Sequence, residues 1–464
     1  MNFSSIRRFT TAAAFLLTLG FGTSSCEDAL QVEPRASLDA EAGLETRQDI
    51  EAGLLGAYDV LQSVNYWGLR YQLFADLGAD NARHTGTFPS FAQIAQNQIL
   101  PDNVEVTSMW NSIYGGINRA NFIIQQAEKL NDPAFNKNQA IAEARALRAF
   151  HYMNLIGYWG GSPQGYGYAG GLGVPLRVVP TTNITGSEIA PIARASEAEV
   201  NALIRSDLDF AIANLGGSNK ARITKAGALA LRSRFELRNR NYDAVINYTA
   251  QITGFSLEPV YANIFTQKNS AESIWELPFD NVDSNSLAFF WFPSANGGRN
   301  EVDPATALPA AHESGDTRLP VNAVTAANAT PVYPTGTTRK YFRVAAGDDN
   351  AILVRHAEVL LTRAEALAQN GDLVPALGIL NTVRSRAGLT PRATTLTKDQ
   401  LIAAILQERR IELAQEGHRW FDLRRTNTVQ AARADVTQTF RHLWPIPQRE
   451  LQTSPGVVEQ NPGY

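Results

Sequence analysis

Aromatic and polar residues gather in stretches of the sequence that lack a helical pattern. An aromatic ring can stack on the C–H face of a sugar or on a peptide side chain, and Asp, Asn and Arg can fix hydroxyl groups. The candidate ligand contacts of this kind are Tyr66, Trp67, Asp80, Asn81, Phe290, Trp291 and Arg299. The alternative is that these rings anchor their loops to the core.

Three glutamates could suggest a hydrolase. Glu408, Glu412 and Glu416 follow one another at intervals of four, which places them on one face of a helix. Two carboxylates about 5–9 Å apart can hydrolyse a glycosidic bond if one of them has a raised pKa. Neighbouring arginines favour the ionised form instead. We therefore expect structural ion pairs with arginines elsewhere, from the set Arg355, Arg363, Arg384 and Arg386.

Other motifs of catalysis and cofactor binding are weak. Residues 165–170 match G-x-G-x-x-G, but a dinucleotide site needs a preceding strand and a following helix. Here a helical pattern precedes the glycines, so a flexible surface loop is the better interpretation. The six histidines have no metal-ligand spacing, and neither a nucleophile elbow nor a Walker loop occurs. The sequence predicts no catalytic residue, no metal and no cofactor.

The composition is that of a globular body. Hydrophobic residues make up 44% and charged residues 19% of the 464 positions. A net charge of −4, with no block of Lys and Arg, argues against nucleic acid as the main partner. With one cysteine, Cys26, the chain can form neither an internal disulfide nor a cysteine-based metal site.

The first 26 residues are typical of a lipoprotein signal. Arg7 and Arg8 precede an apolar stretch, residues 12–20, that is too short to span a bilayer. Small residues then lead directly to Cys26. We predict a signal peptide over residues 1–25, lipidation at Cys26 and a tether over residues 26–42. Two or more acyl chains suffice for stable anchoring to a membrane.

Helical periodicity dominates the rest of the chain and predicts a mostly α fold. The predicted helices span residues 48–62, 109–130, 139–156, 197–215 and 401–417. Two further stretches, 224–252 and 352–387, are typical of helix-turn-helix repeats of the tetratricopeptide type. The loop-rich stretches are 66–106, 157–192, 255–346 and 441–464. Loops of this length in a helical body commonly carry function.

Several sequence blocks, in order, resemble the SusD/RagB family. AILVRHAEVLLTRAEALAQNGD (351–372) is similar to the family's signature helix. The later blocks are LNTVRSRAG (380–388), QERRIELAQEGHRWFDLRR (407–425), LWPIP (443–447) and QNPGY (460–464). The N-terminal half fits at residues 76–81, 110–122, 144–152 and 160–175. The resemblance covers a single body, 43–464, with an N-terminal part to about 255 and a C-terminal part from about 256.

The resemblance implies tetratricopeptide-like helical pairs with an irregular, ligand-facing portion. It also implies a surface-exposed lipoprotein of the outer membrane that binds a glycan or oligosaccharide and delivers it to a TonB-dependent, SusC-like barrel transporter. It implies no enzymatic activity. Peptide cargo is the alternative within the same machinery; a surface glycosidase and a protein-binding repeat scaffold are more distant alternatives. The family's ligand contacts lie in variable loops, so no contact can be transferred to a particular residue here.

Overall fold

The structure is a computed structural model that describes residues 43–182 and 187–464. The predicted signal peptide, Cys26 and the tether lie outside the described residues. Within the described part, no helix is both long enough and apolar enough to cross a bilayer. Leu44–Tyr464 form one compact unit.

Helices form the scaffold, as the periodicity predicts. In chain order they are α1 (Arg47–Gln62), α2 (Arg70–Leu77), α3 (Pro89–Ala95), α4 (Val104–Lys129), α5 (Lys137–Trp159), α6 (Glu197–Asn214), α7 (Lys225–Arg238), α8 (Tyr242–Ala250), α9 (Asn263–Thr266), α10 (Leu287–Trp291), α11 (Leu308–Ala311), α12 (Leu319–Asn322), α13 (His356–Asn370), α14 (Leu373–Arg386), α15 (Lys398–Glu412), α16 (Arg419–Arg425), α17 (Val429–Ala432) and α18 (Gln448–Thr453). Single 3₁₀ turns cover Ser187–Ile189, Ser294–Asn296 and Thr439–His442.

The long helices pack on their neighbours in sequence. From α4 to α8 each helix contacts the next, α13 packs on α8, and α14 and α15 continue the array. The two predicted helix-turn-helix repeats are the pairs α7–α8 and α13–α14. A mostly α fold built from tetratricopeptide-like pairs is therefore confirmed.

Local sequence signals set the helix ends. The helices α1, α6 and α15 begin with capping boxes, at Thr46, Ser196 and Thr397. In each box the hydroxyl accepts a backbone N–H three residues on, and the side chain there reaches back. Gly371, at φ +93°, ends α13 in the left-handed conformation. The capped ends of α1 and α6 lie within one residue of the predicted starts.

Within residues 43–182 and 187–464, three small antiparallel pairs of strands pack with the helices. They are β1 (Ala82–His84) with β5 (Val302–Pro304), β2 (Leu172–Pro175) with β3 (Arg194–Ser196), and β4 (Ser273–Leu277) with β6 (Ala351–Arg355). The prediction that a helix begins at residue 352 was wrong. The run of apolar residues at 351–354 is fully buried in β6, and α13 begins only at His356.

The predicted helix 401–417 is also shorter than expected. It ends at Glu412, and Gln415 has a φ of +66°. The buried carboxylate of Asp76 accepts the backbone N–H groups of Gln415 and Gly417, at 3.0 and 3.1 Å. A contact with a residue more than 330 positions away thus redirects the chain after Glu412, which no local pattern reveals.

All seven tryptophans lie in the core, each at most 1% exposed. One cluster joins α4 and α5 to the C-terminal tail through Trp110, Trp159 and Trp444, with ring centroids 5.2 and 5.7 Å apart. Asn461 closes this contact by donating to the carbonyls of Trp159 and Trp444, at 3.0 and 2.7 Å. The expected core positions of Trp275, Trp420 and Trp444 are confirmed.

Candidate ligand-binding surface

Tyr66 and Trp67 lie inside the protein. They are 0% and 1% exposed, and the ring of Trp67 stacks on Phe150 with centroids 5.6 Å apart. The Tyr66 hydroxyl accepts a hydrogen bond from Asn154 at 2.5 Å and lies 3.2 Å from the His151 Nδ1. A ring without an open face cannot stack on a ligand. The placement agrees with the alternative that these rings anchor their loop to the core.

Trp291, Asp80 and Asn81 are also engaged in structural contacts. Trp291 is 1% exposed. The Asp80 carboxylate pairs with Arg419 at 2.6 Å, and the buried Asn81 amide accepts from Arg410 at 3.0 Å. These contacts attach the segment before β1 to α15 and α16. The expectation that the three residues face a ligand does not fit their partners and burial.

Phe290 and Arg299 do meet at the surface, together with residues that sequence reasoning missed. The guanidinium of Arg299 lies over the ring of Phe88, 3.8 Å from its centroid. Phe290 contacts the rings of Phe88 and Phe289 at 6.2 and 5.7 Å. Phe289 is 41% exposed. We call Phe88, Phe289, Phe290, Arg299 and the neighbouring Tyr333 the aromatic surface.

The aromatic surface rests on a tight turn after α10. The backbone N–H of Arg299 donates to the carbonyl of Phe289 at 2.7 Å, and that of Glu301 donates to Phe290 at 3.0 Å. The turn needs glycine at position 298, since a Cβ there would lie 2.1 Å from the Phe292 carbonyl oxygen. The phenylalanines and Arg299 are thus brought together by backbone geometry.

Glu301 fixes the two loops of the aromatic surface to each other. Its 1% exposed carboxylate accepts from the Phe88 N–H at 2.5 Å, contacts His84 Nε2 at 2.8 Å and pairs with Arg299 Nε at 2.9 Å. Burial alone would raise the pKa of Glu301, but these bonds outweigh burial and lower it. The carboxylate therefore stays ionised and holds the rings in place without a ligand.

Tyr333 extends the surface from a third loop. Its ring meets the buried Phe292 edge to face at 5.4 Å, and the guanidinium of Arg339 lies 5.2 Å from its centroid. Asn296 ties this loop to the turn by donating to the carbonyls of Pro331 and Val332, both at 3.1 Å. Three loops distant in sequence thus lie next to one another.

This face combines ring surfaces with hydrogen-bonding groups. The rings of Phe88, Phe289 and Tyr333 are at least partly open to solvent, and the exposed Thr87 hydroxyl and the Asn300 amide lie between the loops. Flat rings beside fixed donors can stack on a pyranose and bind its hydroxyls.

A separate cleft of ≈ 380 Å³ lies between α4, α18 and the loop after β2. Its polar groups largely bond to one another. The Tyr114 hydroxyl donates to the Pro175 carbonyl at 2.9 Å, and the Asn118 amide exchanges bonds with the backbone of Thr181 at 3.1 and 2.7 Å. These bonds hold the loop, which leaves few donors for a ligand.

Glu408 and Glu412 of α15, together with Glu416 just after it, belong to a buried ion network of five carboxylates and five cations. Its members are Glu272, Asp316, Glu408, Glu412, Glu416, Arg318, Lys340, Arg355, Arg384 and Arg386, each at most 5% exposed except Arg386. Arg355 contacts Glu272, Glu412 and Glu416 at 2.6, 2.6 and 2.7 Å. The predicted pairs with Arg355, Arg384 and Arg386 form. Arg363, the remaining member of that set, donates to the Ile246 carbonyl instead.

The ion network does not resemble a hydrolytic pair. Neighbouring guanidinium groups outweigh burial and hold the pKa of Glu412 well below its usual range, and that of Glu416 is lowered too. Burial raises the pKa of Glu408, but its carboxylate contacts Arg318 at 2.6 Å. All three are at most 3% exposed, so a substrate does not reach them. They bind the segments that carry Arg318 and Lys340. In the same network, Arg355 and Arg386 bind Glu272.

The glycine-rich stretch 165–170 is a packed loop at its start. It follows α5 and leads into β2, and Tyr166 is fully buried beneath Arg424, whose guanidinium lies 4.4 Å from the ring centroid. A Cβ at Gly165 would lie 2.5 Å from the Arg424 carbonyl oxygen. Without a helix N-terminus after it, the loop lacks the feature that binds a pyrophosphate. Of the stretch expected to be a flexible surface loop, only residues 167–170 are exposed.

Among the described residues no group of three or more His, Cys, Asp and Glu side chains is placed to hold a metal ion. The fold and this face together define a class: a helical-repeat protein that presents a loop-borne aromatic surface. Comparison with known proteins narrows the class. A family model described as the SusD family matches residues 320–436, and one described as starch-binding proteins associating with the outer membrane matches residues 28–237. The chain belongs to the SusD/RagB family.

Relatives match along nearly the whole length of the chain. SusD-like protein P38 of Formosa agariphila is 28% identical over 526 residues, covering 97% of this chain and 98% of its own. SusD-like protein P2 of the same organism is 27% identical over 519 residues, covering 98% and 99%. The predicted membership of the family is confirmed.

Solved structures show the same fold. A laminarin-binding SusD-like protein superposes with a TM-score of 0.75 at 24% identity, over 90% of this chain and 100% of that one. A SusD superfamily protein from Bacteroides thetaiotaomicron gives 0.76 at 22% identity, over 90% and 100%. At this identity the likeness concerns the fold alone.

Proposed function

We propose that this chain is a glycan-binding protein without enzymatic activity, which captures an oligosaccharide on the aromatic surface. The observation that carries the proposal is the exposed Phe289 beside the Arg299–Phe88 stack, held in place by Glu301. A preformed face reduces the ordering cost of binding. Two comparisons support the choice of ligand: the family description as starch-binding, and a neighbour that binds laminarin.

The proposal includes the cell biology that the family resemblance implies. The chain is anchored by lipid at Cys26 to the outer membrane, faces the exterior and delivers its cargo to a SusC-like TonB-dependent transporter. The family description as proteins that associate with the outer membrane supports this location. Cys26→Ser should release the protein from sedimented membranes, and protease added to intact cells should digest the wild-type protein. Full membrane retention of the variant would contradict lipid anchoring.

Titration calorimetry tests glycan capture. Because Leu44–Tyr464 form a compact unit by themselves, the chain from residue 27 onward is suitable. We expect saturable heat with one glycan class, and at least about tenfold weaker binding for Phe289→Ala, since stacking on a ring supplies much of the contact area. The matched control is Tyr168→Ala, a ring 39% exposed on the glycine-rich loop, which should bind as wild type.

Other outcomes of the titration favour other functions. Saturable heat with a mixed peptide pool, and none with glycans, would move the cargo to peptides. Heat that continues with time and releases reducing sugar would mean turnover and would contradict the proposal of a protein without catalysis. Equal loss of binding in Phe289→Ala and Tyr168→Ala would contradict the placement of the site on the aromatic surface.

A further inference from the structure

Three arginines from different segments of the chain lie in or beside the aromatic surface. Arg299 stacks on Phe88, and Arg339 stacks on Tyr333. Arg83 on β1 approaches the third loop, because its NH2 lies 3.8 Å from the position that a Cβ at Gly336 would take. The side chains of Arg83 and Arg299 are 43% and 34% exposed. Arg299 and Arg339 thus lie against rings of the aromatic surface, and Arg83 approaches the loop that carries Tyr333.

The carboxylates that pair with these arginines lie beneath them. Within residues 82–88, 289–304 and 325–340 the acidic residues are Glu301 and Asp303, only 1% and 7% exposed. Arg299 pairs with Glu301 at 2.9 Å, and Arg83 pairs with Asp303 at 2.9 Å. Negative charge faces the interior and positive charge faces solvent. These loops therefore present a cationic outer face.

The arginines retain donors for a ligand. Arg299 uses Nε and NH2 toward Glu301 and Thr87, and Arg83 uses Nε and NH2 toward Pro304 and Asp303. In both residues NH1 forms no hydrogen bond with any described residue. Arg339 directs NH2 to the Asn328 carbonyl at 2.5 Å, and its NH1 likewise forms no hydrogen bond with any described residue. Planar guanidinium groups with free N–H donors match the paired oxygens of carboxylate and sulfate groups.

We infer that the cargo is an anionic glycan, whose sugar rings carry carboxylate or sulfate groups. This inference rests on the proposed function and names the substrate class of the same site. The rings of the aromatic surface contact the sugar faces, and Arg83, Arg299 and Arg339 bind the acidic substituents. Charge-assisted bonds at the edges of the face select a charged polymer over a neutral one with the same backbone.

Pairs of probes that differ only in charge test the inference. The chain from residue 27 onward is titrated with polygalacturonate oligosaccharides and their carboxyl-reduced forms, and with carrageenan oligosaccharides before and after desulfation. The two pairs distinguish carboxylate from sulfate as the recognised group. Laminarin oligosaccharides serve as a neutral reference. We expect the charged member of at least one pair to bind at least about tenfold more tightly, as charge-assisted hydrogen bonds allow.

Variants locate the effect on the surface. Arg83→Gln should lower the affinity for the charged probe by about threefold to tenfold, and Arg299→Gln should lower it by a similar factor. The matched control is Arg119→Gln, because the Arg119 side chain is 49% exposed and pairs with the exposed Asp59. This variant should bind the charged probe with the affinity of the wild type. Raising the salt concentration from about 50 to about 500 mM should lower the affinity for the charged probe and leave the affinity for a neutral probe unchanged. Thermal denaturation confirms that each variant is folded.

The outcomes separate the two levels of the proposal. If only uncharged probes bind, and Phe289→Ala abolishes that binding, the proposed function holds and the anionic class is wrong. The anionic class is also contradicted if the affinity for the charged probe does not change with Arg83→Gln, Arg299→Gln or salt. If acidic peptides bind and every glycan fails, both the substrate class and the proposed function are wrong.

Discussion

The buried ion network places ten charged side chains inside the protein, whereas the aromatic surface places rings at the solvent boundary. Both regions use Arg–Glu pairs. In the network, Arg355 is 1% exposed and each of its carboxylate partners is buried with it. On the aromatic surface only Glu301 is buried, and Arg299 remains partly open. In the network the Arg–Glu pairs thus hold parts of the fold together, whereas on the aromatic surface the Arg299–Glu301 pair keeps a guanidinium at the solvent boundary.

The difference follows from how many partners each guanidinium has. Arg355 contacts three carboxylates and the Glu412 carbonyl, which satisfies its donors internally. Arg299 contacts one carboxylate and one hydroxyl, which leaves NH1 available. A buried cation whose donors are all bonded stabilises the fold, because removing it leaves buried carboxylates without a partner. A partly satisfied cation at the surface can bind a ligand.

The largest expected effect lies in the ion network. Arg355→Met leaves Glu272, Glu412 and Glu416 buried with fewer cations, so we expect a loss of about 3–5 kcal/mol in the free energy of unfolding. Urea denaturation followed by circular dichroism measures it. The control Arg119→Gln, at an exposed ion pair, should change the free energy by less than about 0.5 kcal/mol. A loss below about 1 kcal/mol for Arg355→Met would show that the network is not structural.

Gly86→Ala should affect the aromatic surface through its buried anchor. A Cβ at Gly86 would lie 2.3 Å from the Glu301 carboxylate, so the carboxylate must move away from Phe88 and Arg299. We expect a loss of about 1–3 kcal/mol in stability, as for other steric insertions, and weaker glycan binding in calorimetry. Gly115→Ala is the control, because nothing lies within 4 Å of its Cβ position in α4. Unchanged glycan binding in Gly86→Ala would separate Glu301 from the site.

Acid should weaken the interior before it alters the surface. Burial lowers the pKa of His151 to about 3 and of His418 to about 4, from 6.5. Below pH 6.5 these histidines take up protons in the unfolded chain but stay neutral in the folded chain. The free energy of unfolding therefore falls as the pH drops from 6.5 toward 4. At pH 5 each histidine lowers the free energy of unfolding by up to about 2 kcal/mol.

Two buried carboxylates act in the opposite sense. Burial raises the pKa values of Asp76 and Asp349 to about 6, so between pH 6 and 3.8 they take up protons in the folded state and oppose the loss. The slope of stability against pH must therefore be compared between wild type and His418→Gln. We expect a shallower slope for the variant over pH 6.5 to 4. An identical slope would mean that His418 is not buried neutral.

The smallest expected effect is on the stability of Phe289→Ala. Its ring is 41% exposed, so truncation should change the free energy of unfolding by less than about 0.5 kcal/mol. Glycan binding should fall in the same variant, as described above. A stability loss comparable to that of Arg355→Met would assign Phe289 to the core, and the contrast between the two regions would disappear.

The helical scaffold could be read from the sequence because its signals are local. Apolar periodicity and capping residues lie within a few positions of each helix. The strand β6 was missed because a short, fully buried apolar run has no periodicity that separates strand from helix. The end of α15 was missed because it depends on Asp76, a residue from the other half of the chain.

The candidate site was only partly predictable for a similar reason. Trp67 and Phe289 both lie among loop residues in the sequence, yet one is 1% and the other 41% exposed. Their exposure depends on which distant helices cover them, and a ring's chemistry does not encode that. Arg299 and Phe290 were identified as candidates, and their contact with ligand stays a prediction. Phe88 carries no distinctive signal beyond its position between Thr87 and Pro89 in a loop.

The closure of the core by Asn461 has a consequence for the order of folding. Its bond to the Trp159 carbonyl joins residues 302 positions apart. A ribosome adds about 5–20 residues per second, so the end of α5 waits roughly 15–60 s for this partner. Throughout that interval the tryptophan cluster remains incomplete and its apolar rings stay accessible. The tryptophan cluster can therefore close only after Asn461 has been made, and until then its rings offer a binding site to a chaperone that shields apolar segments.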